Sequence, residues 1–111
     1  MRSIVSDGTN AYVATQGSLQ KIVAATGVST SLVNNKVFNS LSYGNSKLYA
    51  ADMDSLYSVN VTTGALTEIV KMPGITGIMY FTTTNILILK GNSLINVLLA
   101  DGTYSYIKQD M

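Results

Sequence analysis

The chain is a succession of short apolar stretches separated by turn-forming residues. In its middle third, β-branched and aromatic residues alternate with polar ones, as in the SLYSV run at Ser55–Val59. Such runs, bounded by Gly, Asn and Asp, are typical of β-strands in a meander. Turn signals lie at 43–46, 52–54 and 62–64, because Gly and Asn tolerate positive φ. The pattern predicts four strands in this third, at 37–42, 47–51, 55–61 and 65–71.

The same unit occurs three times along the chain. A Ser-Leu pair recurs at offsets of 37 and 38 residues, starting at Ser18, Ser55 and Ser93. A Thr-Gly or Asp-Gly pair recurs at the same two offsets, with its glycine at Gly27, Gly64 and Gly102. Two registers that agree independently indicate an internal repeat. We therefore expect a single repeat domain over 1–111, with units at about 1–35, 36–72 and 73–111.

One stretch of the first unit also fits a short helix. Ser18–Val23 would place Leu19, Ile22 and Val23 on one helical face. The equivalent stretch of the second unit alternates with period two and contains β-branched residues. Because one structural role must serve both copies, the pattern favours a strand.

The second unit carries a resemblance to a known class of repeats. It contains KLYAAD at 47–52, SLYSVN at 55–60 and TGAL at 63–66. In this order, the motifs resemble blades of the quinoprotein-like, NHL and YVTN-type β-propellers. The resemblance covers all three units and is sharpest in the second. It implies an all-β fold of three four-stranded antiparallel blades, and it concerns the fold, because unrelated activities share blade motifs.

Three blades are fewer than the four to eight with which propeller rings typically close. Each end of such a chain would expose an apolar sheet face, which soluble monomers rarely tolerate. We expect two chains to complete a six-bladed ring with two-fold symmetry, the non-closing version being an open stack. The ILIL run at 86–89 lacks alternation, which favours cover on both sheet faces. The predicted oligomer-interface residues are Ile86, Ile88, Leu94 and Leu98.

Two other folds with three-fold repeats fit a chain of 111 residues. A three-sheet β-prism is the main alternative, although the sugar motif QxDxNxVxY and the Trp residues usual in β-prism lectins are missing here. A β-trefoil is less well supported, because the chain is short for it and lacks a Gln-x-Trp signature.

Composition narrows the classes of function. Seven Lys or Arg and six Asp or Glu leave a net charge of +1 without charge runs, so nucleic acid and membrane partners are not expected. His and Cys are absent, which removes the commonest general base and the commonest metal ligands. We expect no enzyme activity, no cofactor and no metal. No apolar run is long enough for a membrane span or a signal peptide, so we expect a soluble protein whose compartment the sequence leaves open, a virion or extracellular assembly included.

The candidate ligand-binding residues are Asp52, Asp54 and Tyr57. The two carboxylates lie in one turn, but Ca²⁺ takes six to eight oxygens and no D-x-D-x-D-G series follows, so turn-forming aspartates are the favoured interpretation. Tyr57 belongs to a set of strand tyrosines that fit packing between blades better than a sugar-stacking platform. A glycosidase-type pair would need two acids to meet in space, and their spacing indicates none among Asp7, Asp52, Asp54, Glu68, Asp101 and Asp110.

Together these patterns predict a non-catalytic structural or interaction module. Its expected partner is a second copy of the chain or other propeller blades. The alternative is a carbohydrate- or ligand-binding, lectin-like propeller. A propeller hydrolase or lyase is a third hypothesis, which the absence of His and the scarcity of acids disfavour.

Overall fold

The computed structural model describes residues 3–109, and every regular element in that range is a β-strand. Twelve strands form three antiparallel four-stranded sheets, each in sequence order. The described range contains no helix that is long and apolar enough to cross a membrane. The strands are β1 Ser3–Ser6, β2 Asn10–Ala14, β3 Ser18–Val23, β4 Ser29–Asn34, β5 Ser40–Gly44, β6 Lys47–Ala51, β7 Ser55–Val59, β8 Leu66–Lys71, β9 Ile75–Tyr80, β10 Asn85–Lys90, β11 Ser93–Leu98 and β12 Tyr104–Lys108.

Each sheet is one repeat unit, and we call the three sheets blade 1 (β1–β4), blade 2 (β5–β8) and blade 3 (β9–β12). The predicted fold class, all-β with three four-stranded antiparallel blades, is confirmed. Ser18–Val23 is strand β3, so the helical alternative is wrong. Strand β5 starts at Ser40, three residues later than predicted, because Phe38 belongs to the connection between blades and is fully buried there.

The turn between β5 and β6 is tighter than predicted. Asn45 and Ser46 have φ of 52° and 60°, and two successive positive φ values are the mark of a type I′ hairpin turn. Gly44 remains within β5, where its lack of a side chain leaves space for the ring of Tyr80. A β-carbon there would lie 2.3 Å from the ring of Tyr80, so the aromatic ring of blade 3 rests directly on this glycine.

The hydrophobic core lies between blades. One cluster joins blades 1 and 2, and a second joins blades 2 and 3. Neither cluster links blade 1 to blade 3 within residues 3–109, so the blades form a row with their first strands side by side. A β-prism, in which each sheet meets both others around one axis, is therefore not the arrangement. Fully buried members include Tyr12, Leu19, Leu48, Leu56, Ile86, Ile88 and Ile95.

Candidate functional site

Every blade presents two faces, because successive strand residues point to opposite sides of the sheet. We call the side toward the next blade of the chain the forward face and the opposite side the rear face. Blade 2 has neighbours on both sides, and both of its faces are covered. Tyr49 and Leu56 are buried on its forward face, and Leu48 and Ala50 on its rear face.

A glycine in the turn before each outer strand lies at the junction between blades. Gly27, Gly64 and Gly102 have φ of 75°, 80° and 77°, and each N–H donates to the carbonyl four residues earlier at 2.7–2.8 Å. A β-carbon at Gly64 would lie 1.9 Å from the carbonyl oxygen of Leu32, and one at Gly102 would lie 2.2 Å from that of Ile69. At Gly27 the same position has no atom of the chain within 4 Å.

The carbonyls that meet these glycines belong to bulged residues of the outer strands. A register shift places one extra residue in β4, β8 and β12, and these residues are Leu32, Ile69 and Ile107. Leu32 and Ile69 are half-buried, whereas Ile107 is 54% exposed. Gly27 thus corresponds to Gly64 and Gly102, and Ile107 to Leu32 and Ile69, but neither makes this contact within the chain.

The forward face of blade 3 is open and apolar. Leu87 and Leu94 are half-buried, although their blade 2 counterparts, Tyr49 and Leu56, are buried under blade 3. Contiguous apolar surface of this kind marks interaction sites in soluble proteins. The exposed fractions of its other large side chains are Met79 55%, Leu89 38%, Leu98 42% and Ile107 54%.

The rear face of blade 1 is open in the same way. Ile4 is 57% exposed, whereas its counterpart in blade 2, Leu41, is 4% exposed. Ala11, Val13 and Ile22 are half-buried, while the residues that replace them in blade 2 are buried against blade 1. The row of blades thus ends in two different faces, each built like one side of an internal junction.

The similarity of this chain to known proteins lies in its structure and not in its sequence. No protein-family model matches the sequence, and no curated protein matches it. The extracellular domain of the BT4673 two-component system of B. thetaiotaomicron is similar in structure, with a TM-score of 0.78 and 14% identity over 100% of this chain and 16% of that chain. The surface component PorZ of the Porphyromonas gingivalis type-IX secretion system has a TM-score of 0.77 and 14% identity, over 96% of this chain and 16% of that chain.

A third similar structure is the N-terminal domain of Nup159, with a TM-score of 0.72 and 10% identity over 97% of this chain and 33% of that chain. The fold is of the β-propeller type. The similarity supports this type of fold and not a particular one of the blade families that the second unit resembles. The chain spans between 16% and 33% of the length of these three propeller-like chains.

The predicted interface residues of blade 3 divide between its two faces. Leu94 and Leu98 lie on the free forward face, where Leu98 is 42% exposed. Ile86 and Ile88 are fully buried on the rear face, against blade 2. Strand alternation therefore gives the free face to their neighbours Leu87 and Leu89 and not to Ile86 and Ile88. The alternation itself was the signal that would have separated the two pairs.

The structure joins two of the three candidate ligand residues through a lysine that the sequence did not single out. Asp52 Oδ2 lies 2.7 Å from Lys36 Nζ, and the same Nζ lies 4.9 Å from the centre of the Tyr57 ring. Asp52 Oδ1 accepts from the N–H groups of Asp54 and Ser55, each at 2.8 Å. The side chain of Asp54 is exposed and takes no part. These contacts describe a structural clamp between the connection and blade 2.

We expect Asp52→Asn to lower the free energy of unfolding by about 1 kcal/mol at pH 7. Burial raises the pKa of the Asp52 carboxyl, but the hydrogen bonds from Lys36 and from the two amides outweigh it and hold the pKa below its ordinary 3.8. A lowered pKa stabilises the fold above 3.8, and this stabilisation is lost as pH falls through the lower folded value. Urea unfolding at several pH values measures the difference.

Asp54→Asn is the matched control for that experiment, because the exposed Asp54 carboxylate lies two residues away in the same turn. The difference between Asp52→Asn and the parent chain should shrink as pH falls below 3.8. A difference that stays constant down to pH 2 would show that the Lys36 pair contributes nothing.

The other carboxylates have partners of their own. Asp7 accepts from the amides of Asn10 and Thr9 at 2.7 and 2.8 Å and from the Tyr12 hydroxyl at 2.9 Å, and these bonds lower the pKa of Asp7 to about 2. Glu68 accepts from the Ser55 hydroxyl at 3.0 Å. No group of three acids that could hold a metal occurs within residues 3–109, and Asp110 lies outside the described residues.

A groove of about 700 Å³ lies between blades 2 and 3, lined by Tyr49, Ser58, Leu99 and Asp101 among others. At the junction of blades 1 and 2 the counterpart of Ser58 is Lys21, since each pairs with the buried tyrosine of its neighbouring strand. Lys21 Nζ donates to the carbonyl oxygen of Val61 at 3.4 Å. The groove between blades 2 and 3 therefore corresponds to the space that the Lys21 side chain occupies between blades 1 and 2.

We expect Ser58→Lys to raise the free energy of unfolding by about 0.5–1 kcal/mol. The new side chain would bury methylene groups in the groove and donate to the Leu99 carbonyl, the counterpart of Val61. Ser58→Met, of similar length without the ammonium group, separates packing from hydrogen bonding in the same urea titration. A loss of stability in Ser58→Lys would show that the two junctions are not equivalent.

Proposed function

We propose that this chain is a non-catalytic interaction module that self-associates through its two free blade faces. Two chains complete a six-bladed ring, in which the forward face of blade 3 packs on the rear face of blade 1 of the partner. One observation supports the proposal: these faces resemble the two sides of an internal blade junction, but no blade of the chain packs on them. Seven apolar residues of these faces are half-buried or exposed, and each corresponds to a buried apolar residue of blade 2; they are Ile4, Ala11, Val13, Ile22, Leu87, Leu89 and Leu94.

The energetics favour closure over a single contact. Burying apolar surface stabilises by about 25 cal/mol per Å², and stable interfaces bury about 1,200–2,000 Å² in total. In a ring of two chains, two junctions form for one loss of translational and rotational freedom. An open stack forms only one junction for each chain added. The closed pair is therefore the favoured product.

The polar residues support a non-catalytic role. Asp7 and Asp52 accept hydrogen bonds from turn amides, Asp52 also pairs with Lys36, and Glu68 accepts from the Ser55 hydroxyl, so these bonds serve the fold. Similar structures include an extracellular domain and a bacterial surface component, which fits a scaffold in a surface or particle assembly. Tyr12 and Tyr49, two of the strand tyrosines that a lectin could use, are buried between blades, whereas Tyr104 and Tyr106 are exposed.

Sedimentation equilibrium of the 111-residue chain tests the proposal. The expected result is a species of twice the 11.8 kDa chain mass that does not grow further with concentration. A monomer at tens of micromolar would contradict self-association, and it would point to other blades as the occupants of both faces. A mass that rises without limit would replace the ring by an open stack. Binding that depends on a sugar in a glycan array would favour the lectin-like alternative instead.

A further inference from the structure

We propose a specific register for the association: the bulge carbonyl of Ile107 in one chain receives the turn glycine Gly27 of its partner. The inference rests on the proposed self-association and adds the contact that aligns the two faces. In this register, blade 3 of one chain and blade 1 of its partner are aligned in the same way as neighbouring blades are at the two internal junctions. The proposed occupant is a second copy, because this chain contains both halves of the contact, the open Gly27 and the bulge at Ile107.

The internal junctions show what this contact demands. The position of a β-carbon at Gly64 or Gly102 is taken by a carbonyl oxygen of the preceding blade, at 1.9 and 2.2 Å. Heavy atoms cannot approach so closely, so only glycine fits there. A positive φ alone does not require glycine in this chain, since Asn35 and Asn45 adopt φ of 58° and 52°. Gly27 has the backbone of the junction glycines without a carbonyl to meet.

The two free faces also complement each other in size. At both internal junctions the forward face carries a tyrosine and an alanine, Tyr12 with Ala14 and Tyr49 with Ala51. Blade 3 carries two leucines at these positions, Leu87 and Leu89. The rear face of blade 1 has small residues, Ala11 and Val13, where blade 3 has Ile86 and Ile88. A bulkier forward face thus meets a smaller rear face, which conserves the packed volume.

At both internal junctions, the first strands of neighbouring blades are joined by a serine hydrogen bond. The proposed junction between two chains would lack this bond. The N–H of Leu41 donates to Ser3 Oγ at 3.2 Å, and the N–H of Ile78 donates to Ser40 Oγ at 3.1 Å. In blade 3 the position of Ser3 and Ser40 is Gly77, which pairs with Leu89 as they pair with Ala14 and Ala51. The N–H of Ile4 in the partner would therefore face Gly77 and find no hydroxyl.

Gly77 has room for a side chain. The nearest atom to its β-carbon position is Leu89 Cβ at 3.8 Å, which is ordinary van der Waals contact. In the proposed register, Gly77→Ser supplies the missing acceptor for Ile4, whereas Gly77→Ala supplies only the β-carbon. The pair of variants differs by one hydroxyl.

The first test compares Gly27→Asn with Gly8→Asn by sedimentation equilibrium. Both glycines have positive φ and open space within the chain. Gly8 is the counterpart of Asn45, an exposed asparagine of blade 2, so asparagine already occupies this turn. We expect Gly27→Asn to weaken the dimer about tenfold per junction, and about a hundredfold for a ring of two junctions. Gly8→Asn should leave the dissociation constant unchanged.

The second test compares Gly77→Ser with Gly77→Ala by the same measurement. One additional hydrogen bond per junction should make the serine variant dimerise about tenfold more tightly than the alanine variant. The outcomes separate the two proposals. A monomeric parent chain overturns the proposed function and the register together. A dimeric parent chain with unchanged affinity in Gly27→Asn, or with equal affinity in the two Gly77 variants, overturns the register alone.

Discussion

Gly64→Ala is expected to lower the free energy of unfolding by about 3 kcal/mol or more, whereas Gly27→Ala should lower it by about 1 kcal/mol. Both residues have left-handed φ, near 80° and 75°, and an alanine in that region costs about 1–2 kcal/mol. Only Gly64 also lies against a carbonyl oxygen, at 1.9 Å from its β-carbon position. That overlap cannot be relieved without separating blade 2 from blade 1, and overpacking of this kind adds about 1–3 kcal/mol.

Urea unfolding measures both variants, and it should be performed in a Leu89→Lys background so that association does not contribute. Gly102→Ala is an independent check, since its β-carbon position lies 2.2 Å from the carbonyl of Ile69. We predict that Gly64→Ala and Gly102→Ala each lower the free energy of unfolding much more than Gly27→Ala does. Equal losses at Gly64 and Gly27 would mean that φ alone governs these turns and that the junction contact has no energetic weight.

The repeat made most of the strand map predictable. The Ser-Leu pairs at Ser18, Ser55 and Ser93 do start the third strand of each blade, because a period-two apolar pattern and its turns are local properties of the chain. The turn signal at 62–64 depends on the tolerance of glycine for positive φ, and Gly64 has a φ of 80°. What the pattern could not supply was the number of neighbours that each blade has.

The candidate site was harder to predict for the same reason. The ILIL run at 86–89 favours cover on both sheet faces, but only Ile86 and Ile88 are covered by another blade of this chain. The contact that we propose between Gly27 and a bulge carbonyl of a second chain depends on the extra residue at Ile107, and a bulge leaves no mark in the apolar pattern. Lys36 lies in a connection without periodicity, so its meeting with Asp52 depends on the packed fold.

Ile88→Ala and Leu89→Ala, one residue apart in β10, should separate folding from association. Ile88 is fully buried against blade 2, and truncation of such a side chain costs about 2–5 kcal/mol, because the transfer free energy is lost and a cavity remains. Leu89 points to the opposite face and is 38% exposed. We expect its truncation to cost less than about 1 kcal/mol in the monomer.

In the association assay we expect the opposite order, with the larger effect on the dissociation constant in Leu89→Ala. In the proposed ring Leu89 is covered by blade 1 of the partner, so Leu89→Ala should weaken the dimer about tenfold or more. Ile88→Ala should leave the dissociation constant nearly unchanged at a urea concentration where the variant is still folded. Urea unfolding and sedimentation equilibrium on both variants therefore form a two-by-two test. If Leu89→Ala leaves the dimer intact, the forward face of blade 3 is not the surface through which the chains meet, whatever their mass in solution.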